Sequence, residues 1–229
     1  MISLCEVVCA STNDYAMAHR DLAHNAVIFA RKQEGGKGRE GRKFISHEGG
    51  AYFSIVRRDN LAFADAYRYV MAAAVACCEV VRSLGVECAI KWPNDLRVGR
   101  KKLGGILIET ACSPEGICYG VIGIGLNVNN RLEGVDCPCC SLGEMLHGKI
   151  AVERLIVEIA EVFDRWVFAD ELADVYRRWL MTLGKEVLLT SGRVGLAKDV
   201  GPDGRLAVDV DGATVWVSAG DVRLKEDVC

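Results

Sequence analysis

The chain has 229 residues, a mass of 24.9 kDa and a formal net charge of −3. Hydrophobic residues make up 51% and prolines number only 4, which excludes disordered and collagen-like chains. The net charge gives no bulk attraction to nucleic acid or to an acidic membrane, so any anion binding needs a local cluster of cations. The longest uncharged apolar stretch, residues 69–78, is too short for a bilayer span of roughly 18 residues. Since no signal peptide is visible either, we expect a soluble cytoplasmic protein.

Eleven cysteines are an odd and high number for this length. Cys137, Cys139 and Cys140 crowd together, but the second pair that a structural zinc site would use is missing from the pattern. Cys5 and Cys9 lie in or directly after a predicted strand. We therefore expect reduced, mostly incidental thiols in a reducing compartment, with a metal cluster as the alternative.

Strands and helices alternate through the first two thirds of the chain. Strands are predicted at 2–8, 26–31, 51–56, 88–90, 97–98, 105–109 and 119–124. Helices are predicted at 15–23, behind a polar cap at 11–14, and at 61–84, which ends at Gly85.

The pattern changes twice in the last third of the chain. Residues 151–183 have helical periodicity, with an apolar stripe from Val152 to Val167. Short β runs follow at 187–189, 194–197, 206–210 and 214–217, separated by glycine-containing turns. Four or five short strands predict a small barrel, and we place the domain boundary near 181–184.

Residues 35–44 form the most unusual segment, because they hold four glycines and four cations. Glycine lets backbone N–H groups turn toward an anion, and cations supply charge-assisted hydrogen bonds. The segment therefore predicts a phosphate or carboxylate site. Gly36, Gly38 and Gly41 match G-x-G-x-x-G, but a strand follows where a dinucleotide-binding fold needs a helix. A solvated mobile loop is the alternative.

A second group of candidate residues begins at the sequence Lys91–Asp95, where a proline fixes a sharp turn. Asn94 and Asp95 then project from a rigid corner, and the carboxylate is a candidate Mg²⁺ contact. Lys102, beside two glycines, suits a carboxylate that is being converted to a mixed anhydride. Asn127 follows a buried strand and offers an amide for base recognition. For the segments around residues 91–95 and Lys102, the alternative is a lysine-rich surface hairpin without a ligand.

Together these segments resemble the biotin protein ligase family, which joins biotin to a lysine of carboxylase carrier domains. The matching motifs are STN at 11–13, Q-x-x-GRGRRGR at 33 and 36–42, KWPND at 91–95, K-L-x-G-I-L-x-E at 102–109 and G-x-G-x-N at 123–127. The resemblance implies an α+β fold, a class II synthetase-like mixed β-sheet covered by helices. It assigns residues 1–182 to a biotin- and ATP-binding catalytic domain and residues 183–229 to a small SH3-like β-barrel.

The resemblance also implies an activity, its cofactors and its site residues. An ATP-dependent ligase of this family forms biotinyl-5′-AMP and passes biotin to a lysine of a biotin carboxyl carrier protein, with Mg²⁺ accompanying ATP. Arg39, Lys102 and Lys91 are the implied catalytic residues. The implied biotin-binding residues are Ser11, Thr12, Asn13, Gln33, Lys37, Gly38, Arg39, Lys102 and Gly105. The implied ATP-binding residues are Arg39, Arg42, Phe44, Lys91, Asn94, Lys102 and Asn127, with Asp95 as the Mg²⁺ ligand.

Lys37 and Glu40 stand where the resemblance implies arginines, and Phe44 stands where it implies tryptophan. Glu40 removes a positive charge from the loop, whereas Phe44 keeps a ring that stacks on adenine. Because the chain starts at the catalytic strand, we expect no operator-DNA binding. A homodimer is left open.

Two other functions compete with a biotin ligase, namely a lipoate-type protein ligase and a non-enzymatic biotin-binding module. The polar side chains of Ser11, Thr12 and Gln33 favour biotin over lipoate, because a buried polar group left unpaired costs roughly 1–3 kcal/mol. The presence of Lys102 favours an enzyme over a binding module.

Overall fold

The computed structural model describes residues 2–59, 66–114, 116–135, 137–218 and 222–224. It contains a seven-stranded mixed sheet and a five-stranded antiparallel sheet. Across the described ranges, none of the helices combines the length and the apolar character that crossing a bilayer would need.

The large sheet has the strand order β1-β2-β3-β7-β6-β5-β4. Its strands are β1 (Ser3–Glu6), β2 (Ala26–Ala30), β3 (Ala51–Arg57), β4 (Cys88–Lys91), β5 (Asp95–Val98), β6 (Lys101–Ser113) and β7 (Gly116–Leu126). The β1 and β2 strands are parallel, and all other neighbours are antiparallel.

Helices cover both faces of this sheet. They are α1 (Thr12–Ala18), α2 (Ala66–Ser83), α3 (Leu142–Leu146), α4 (Val152–Val167) and α5 (Leu172–Trp179). Because side chains alternate along a strand, Val27 and Phe29 join the main core with α2 and α4, whereas Ala26 and Ile28 join a smaller core with α1. The apolar stretch 69–78 lies in α2 and is buried along its whole length, because α2 packs against α4, α5 and the sheet.

Several predicted boundaries were wrong for local reasons. The first helix was predicted at 15–23, but Ser11 alone is the cap, so the helix begins at Thr12 and ends at Ala18. The strand predicted at 105–109 begins at Lys101, because pairing of residues 101–104 with β5, and of Gly104 with β7, outweighs the low strand propensity of glycine and lysine. The predicted helix 61–84 is confirmed from residue 66 to residue 83, and residues 61–65 lie outside the described residues. The short helix α3 was not predicted.

The small sheet has the order β11-β10-β9-β8-β12. Its strands are β8 (Glu186–Leu189), β9 (Val194–Val200), β10 (Leu206–Val210), β11 (Ala213–Val217) and β12 (Val222–Leu224). Asp211 and Gly212 both have positive φ, as a two-residue hairpin turn requires. The predicted short strands are confirmed. This antiparallel sheet is consistent with the predicted small SH3-like domain, and within the described residues it is not closed, because β11 and β12 are both edge strands. The boundary between 1–182 and 183–229 stays a prediction.

Candidate active site

A cavity of about 1030 Å³ lies where the two sheets meet. Its walls come from the segments 11–13, 37–45, 91–95, 102–107 and 123–127, together with side chains of the small sheet. Every site residue named from the sequence lies in this lining: Ser11, Thr12, Asn13, Gln33, Lys37, Gly38, Arg39, Arg42, Phe44, Lys91, Asn94, Asp95, Lys102, Gly105 and Asn127. Segments that are far apart in the chain therefore meet in one space.

One corner of the cavity is polar and buried. The Ser11 hydroxyl caps α1 by accepting a hydrogen bond from the Asp14 N–H (3.3 Å). The Thr12 N–H donates to Gln33 Oε1 (2.7 Å), and Gln33 Nε2 donates to Ser46 Oγ (3.1 Å). These bonds fix which end of the Gln33 amide is oxygen. They leave the Ser11 hydroxyl hydrogen as a donor toward a ligand.

Behind this corner, a hydrogen-bond relay sets the orientation of the Thr12 hydroxyl. Ser54 Oγ lies 2.6 Å from Asn13 Oδ1 and 2.8 Å from Thr12 Oγ1. Asn13 Nδ2 donates to Glu109 Oε2 (2.8 Å) and to the Leu107 carbonyl (3.3 Å). A hydroxyl has one hydrogen, and the Asn13 carbonyl oxygen needs a donor, so Ser54 donates to Asn13 and accepts from Thr12. The Thr12 oxygen is therefore an acceptor toward the cavity.

Sequence reasoning missed two members of this relay. Ser54 interrupts the apolar run 51–56 of β3 and is fully buried. A lone polar residue in a buried strand is the signal that could have identified it. Glu109 ends the K-L-x-G-I-L-x-E motif, but only the fold shows that it meets Asn13.

The glycine-rich segment folds back as a short hairpin. The Gly38 N–H donates to the Arg42 carbonyl (2.6 Å), and the Phe44 N–H donates to the Gly36 carbonyl (2.8 Å). A 3₁₀ turn at Arg39–Gly41 forms the tip. A Cβ atom at Gly36 would lie 2.3 Å from the Phe44 carbonyl oxygen, so this pairing requires glycine there.

Two side chains tie the hairpin to the rest of the cavity. Lys37 Nζ forms an ion pair with Asp14 at the start of α1, and this hydrogen bond raises the pKa of Lys37. Arg39 Nη1 lies 3.4 Å from Asn94 Oδ1 on the opposite wall. Glu40 adopts a φ of 57° and pairs with an arginine of its own loop. The hairpin therefore bridges the cavity in this conformation.

On the opposite wall, Lys102 Nζ donates to Asp95 Oδ1 (2.7 Å), and the Lys102 ammonium lies 6.0 Å from the centre of the Phe44 ring. Gly105 pairs with Asp95 across β5 and β6 and leaves room beside both charges. Lys91 pairs with Asp95 at the end of the β4–β5 hairpin. This wall combines cations with one carboxylate, which suits a phosphate accompanied by a metal ion.

The donor set fits Mg²⁺. Within the described residues, no three metal-ligating side chains converge, so Asp95 would be a single protein ligand. Mg²⁺ in nucleotide sites typically takes one or two carboxylates and completes its shell with phosphate oxygens and water. Asp95 would have to share its carboxylate between Lys102 and the ion.

An apolar slot lies next to these charges. The Phe44 ring lies against Gly125, where a Cβ atom would come within 2.7 Å of the ring. Asn127 is buried, and its Oδ1 accepts a hydrogen bond from Asn130 Nδ2 (3.1 Å). The group that Asn127 offers to the cavity is therefore its amide N–H₂. The cavity therefore offers an aromatic ring and an amide N–H₂, the groups that suit a flat base with a ring acceptor.

The turn of residues 91–95 is held from outside the large sheet. The Trp92 indole N–H donates to the Gly204 carbonyl (2.9 Å). Tyr67 and Tyr176 each place a hydroxyl 2.8 Å from the Pro93 carbonyl oxygen. Burial raises the pKa of both tyrosines, so they stay protonated donors. None of these supports was expected from the sequence.

Comparison with known proteins agrees with this geometry. The profile of the Biotin/lipoate A/B protein ligase family matches residues 5–127. The biotin--[acetyl-CoA-carboxylase] ligase of Mycobacterium tuberculosis is 35% identical over 215 residues, which cover 86% of this chain and 77% of that protein. The enzyme of the same name from Paracoccus denitrificans is 29% identical over 189 residues, 75% of this chain and 77% of that protein.

Among solved structures, the biotin protein ligase of Aquifex aeolicus in complex with biotin and ATP superposes with a TM-score of 0.82. The match covers 98% of this chain and 99% of that chain at 20% identity, which shows a shared fold. The predicted fold class is thereby confirmed.

Proposed function

Since the chain belongs to the Biotin/lipoate A/B protein ligase family, we propose that it activates biotin with ATP to biotinyl-5′-AMP and transfers biotin to a lysine of a biotin carboxyl carrier protein. One observation carries the proposal: a polar corner and a cation wall share one cavity of about 1030 Å³. Ser11, Thr12 and Gln33 form the corner, and Lys102 faces the hairpin that carries Arg39.

The polar corner complements a cyclic urea, the head group of biotin. A cyclic urea offers one carbonyl acceptor and two N–H donors. The Ser11 hydroxyl donates to the carbonyl, and the Thr12 oxygen, held as an acceptor by Ser54, receives one N–H. The Gln33 amide lies beside them with a fixed orientation. Lipoate offers its dithiolane ring no such partners and would leave these buried groups unpaired, which favours biotin.

In the first step, the biotin carboxylate oxygen attacks the α-phosphorus of ATP, and pyrophosphate leaves. Negative charge builds on the phosphate oxygens, and the cations of Arg39 and Lys102 stabilise it. The Lys102 ammonium then leaves the Asp95 carboxylate and pairs with the phosphate oxygens that gain negative charge. The two walls contribute mainly by holding both reactants at bonding distance. Mg²⁺, when bound with ATP, neutralises phosphate charge, and Asp95 would hold it.

The nucleotide occupies the remaining part of the cavity. Adenine stacks on Phe44 and receives a hydrogen bond from the Asn127 amide. Arg42, Lys91 and Asn94 line the path of the phosphates. These roles rest on the positions of the side chains around the cavity.

In the second step, the neutral ε-amine of the carrier lysine attacks the carbonyl carbon of the mixed anhydride. The C–N bond forms, the C–O bond to phosphate breaks, AMP leaves and the amine loses a proton. Water would hydrolyse the same anhydride, so the hairpin of residues 36–44 has to cover it until the carrier arrives.

The decisive experiment incubates the protein with MgATP, a carboxyl carrier domain and either biotin or lipoate, followed by intact-mass measurement of the carrier. We expect the mass of one biotinyl group on the carrier, pyrophosphate release with biotin, and neither product with lipoate. Lipoylation would favour the lipoate-type ligase. Biotin binding without pyrophosphate release would favour the binding module.

We also propose that the protein acts in the cytoplasm and does not bind operator DNA. Every cysteine in the described part of the chain is free, as a reducing compartment requires. A net charge of −3 supports no non-specific attraction to DNA. The exposed edge strand β1 offers backbone groups for pairing with a second copy, which supports a homodimer. A gel-shift measurement tests the absence of DNA binding, and sedimentation tests the homodimer.

A further inference from the structure

Two cysteines lie side by side at the rim of the cavity. Only Pro138 separates Cys137 from Cys139, and their Sγ atoms are 3.5 Å apart. Both residues line the cavity; Cys137 is exposed to solvent and Cys139 is half-buried. Adenylate chemistry uses neither thiol, so the proposed function leaves this dithiol unexplained.

The backbone around the dithiol is bonded directly to Lys102. The Lys102 N–H donates to the Pro138 carbonyl (2.8 Å), and the Cys140 N–H donates to the Lys102 carbonyl (3.0 Å). Cys139 thus pairs with the start of β6 as one residue of a parallel bridge. The Lys102 ammonium is in turn bonded to Asp95. A conformational change at the dithiol therefore acts on a residue that faces the reacting groups.

A second close pair of thiols provides an internal comparison. The Sγ atoms of Cys78 and Cys88 are 3.4 Å apart, almost the same separation as in the rim pair. Both side chains are fully buried between α2 and β4. A dissolved oxidant reaches Cys137 and Cys139 but not the buried Cys78 and Cys88. The two pairs therefore differ in exposure to solvent and not in sulfur–sulfur distance.

We propose that Cys137 and Cys139 form a reversible modification site, which a hydroperoxide oxidises to a disulfide that alters the setting of Lys102 and slows biotin adenylation. The sulfurs need to approach from 3.5 Å to the bond length of about 2.05 Å. The effect on adenylation rests on the proposed function, whereas formation of the disulfide does not.

The chemistry proceeds in two balanced steps. The Cys137 sulfur attacks a peroxide oxygen, the O–O bond breaks, the alcohol leaves and a sulfenic acid forms. The Cys139 sulfur then attacks the Cys137 sulfur, so that the S–S bond forms, the S–O bond breaks and the leaving oxygen takes the Cys139 proton as water. Two thiols and one hydroperoxide thus give one disulfide, one alcohol and one water. A dithiol reductant reverses the change.

The environment of the thiols sets the order of these steps. Burial raises the pKa of the Cys139 thiol to about 12, and its hydrogen bond with Cys137 adds to the rise. Cys139 is therefore protonated near neutral pH and attacks a peroxide poorly, because a thiol is a much weaker nucleophile than a thiolate. Its position 3.5 Å from the Cys137 sulfur favours the second attack, in which its proton passes to the leaving oxygen. The exposed Cys137 reacts first, and Cys139 resolves the sulfenic acid.

The test uses the full chain, reduced and then freed of reductant. It is treated with hydrogen peroxide, its remaining thiols are alkylated under denaturing conditions, and its peptides are mapped by mass spectrometry. We expect a disulfide between Cys137 and Cys139, with Cys78 and Cys88 recovered in alkylated form. The rate at which an N-hydroxysuccinimide ester acylates Lys102 should differ between the oxidised and reduced forms.

Pyrophosphate release with biotin and ATP should fall by roughly ten- to a hundredfold on oxidation, because a misplacement of about 1 Å costs up to about 10²-fold. Dithiothreitol should restore it. In the Cys137→Ser variant, pyrophosphate release should be the same before and after peroxide treatment. Cys118→Ser, which removes an exposed thiol elsewhere, should still be inactivated.

The inference is wrong if peroxide leaves Cys137 and Cys139 available for alkylation. It is also wrong if the disulfide forms while Lys102 acylation and pyrophosphate release match those of the reduced protein. A reduced protein that releases no pyrophosphate with biotin would contradict the proposed function. In that case the disulfide map and the acylation rate of Lys102 still decide the inference.

Discussion

The indole N–H of Trp92 donates a 2.9 Å hydrogen bond to the carbonyl of Gly204, which joins the turn of residues 91–95 to the small sheet. The backbone N–H of Trp92 donates to Thr182 Oγ1 (2.9 Å). Gly204 has a φ of +78°, and a Cβ atom there would lie 1.9 Å from the Tyr67 ring. The small sheet therefore helps to hold the cation wall, which carries Lys91, Asn94 and Asp95.

Trp92→Phe removes the indole donor and keeps an aromatic ring in place. Because a net hydrogen bond is worth about 1 kcal/mol, we expect the KM for ATP to rise roughly fivefold. Biotin affinity, measured by calorimetry, should stay unchanged, since the polar corner lies on the other wall.

The matched control for Trp92→Phe is Trp166→Phe on α4. The Trp166 indole N–H donates to Glu79 (2.7 Å), away from the cavity. In the control variant, the KM for ATP and the affinity for biotin should both stay at their wild-type values. An equal rise in the KM for ATP in both variants would show that the Trp92 bond has no special connection with the cation wall.

Ser54→Ala breaks the relay that holds the Thr12 oxygen as an acceptor. Unpaired buried polar groups cost about 1–3 kcal/mol, so the KM for biotin should rise at least about fivefold with little change in kcat. Ser83→Ala is the control, because this serine only bonds a carbonyl of its own helix.

A double-mutant cycle separates the relay from a general loss of stability. In a Thr12→Val background, Ser54→Ala should add little to the KM for biotin, since residues that act through one another are not additive. Fully additive effects would contradict the relay.

Lys102→Ala removes a cation from the reacting carboxylate and α-phosphate. Loss of one such stabilising group typically costs about 10²–10³-fold in rate, and we expect pyrophosphate release to fall accordingly. Biotin should still bind, because the polar corner is intact. Lys101→Ala, the exposed neighbouring lysine, is the control. Wild-type turnover of Lys102→Ala would remove this residue from the mechanism.

Asp14→Asn breaks the ion pair that holds Lys37 of the hairpin. Both side chains are about half exposed, at 47% and 49%, so the pair is worth about 1 kcal/mol at most. We expect biotinyl-5′-AMP to dissociate roughly two- to fivefold faster, measured by stopped-flow or filter binding. Asp21→Asn, on the exposed segment after α1, is the control.

The pH dependence of this pair has a definite sign. The hydrogen bond to Asp14 raises the pKa of Lys37, so the contribution of the pair is complete below the pKa of a free lysine, about 10.4. The contribution of the pair is lost only as pH rises through the raised pKa that Lys37 has in the folded protein. Adenylate retention should therefore not change through this pair between about pH 7 and pH 9. A loss centred near neutral pH would assign the titration to another group.

Local patterns in the sequence were enough to predict the turn at 91–95, which joins β4 and β5. They also indicate an anion site in the segment 35–44, which stays a prediction. Glycine and proline act through their own backbone angles, so their effect is visible without the fold. The helical stripe of α4 and the short strands of the small sheet were predicted for the same reason, since periodicity is a local property.

Only the tertiary structure decided which groups meet. Ser54 lies 41 residues from Asn13, and Trp92 lies 112 residues from Gly204, so no local pattern links them. The predicted strand 105–109 stopped short of Lys102 because glycines and lysines hide strand periodicity, whereas pairing with Arg97 of β5 puts Lys102 inside β6. The sequence by itself determined the types of chemical group and the backbone at the turns. Which hydroxyl accepts, which carbonyl holds the turn and which thiols are neighbours depended on contacts that arise only when the two sheets pack together.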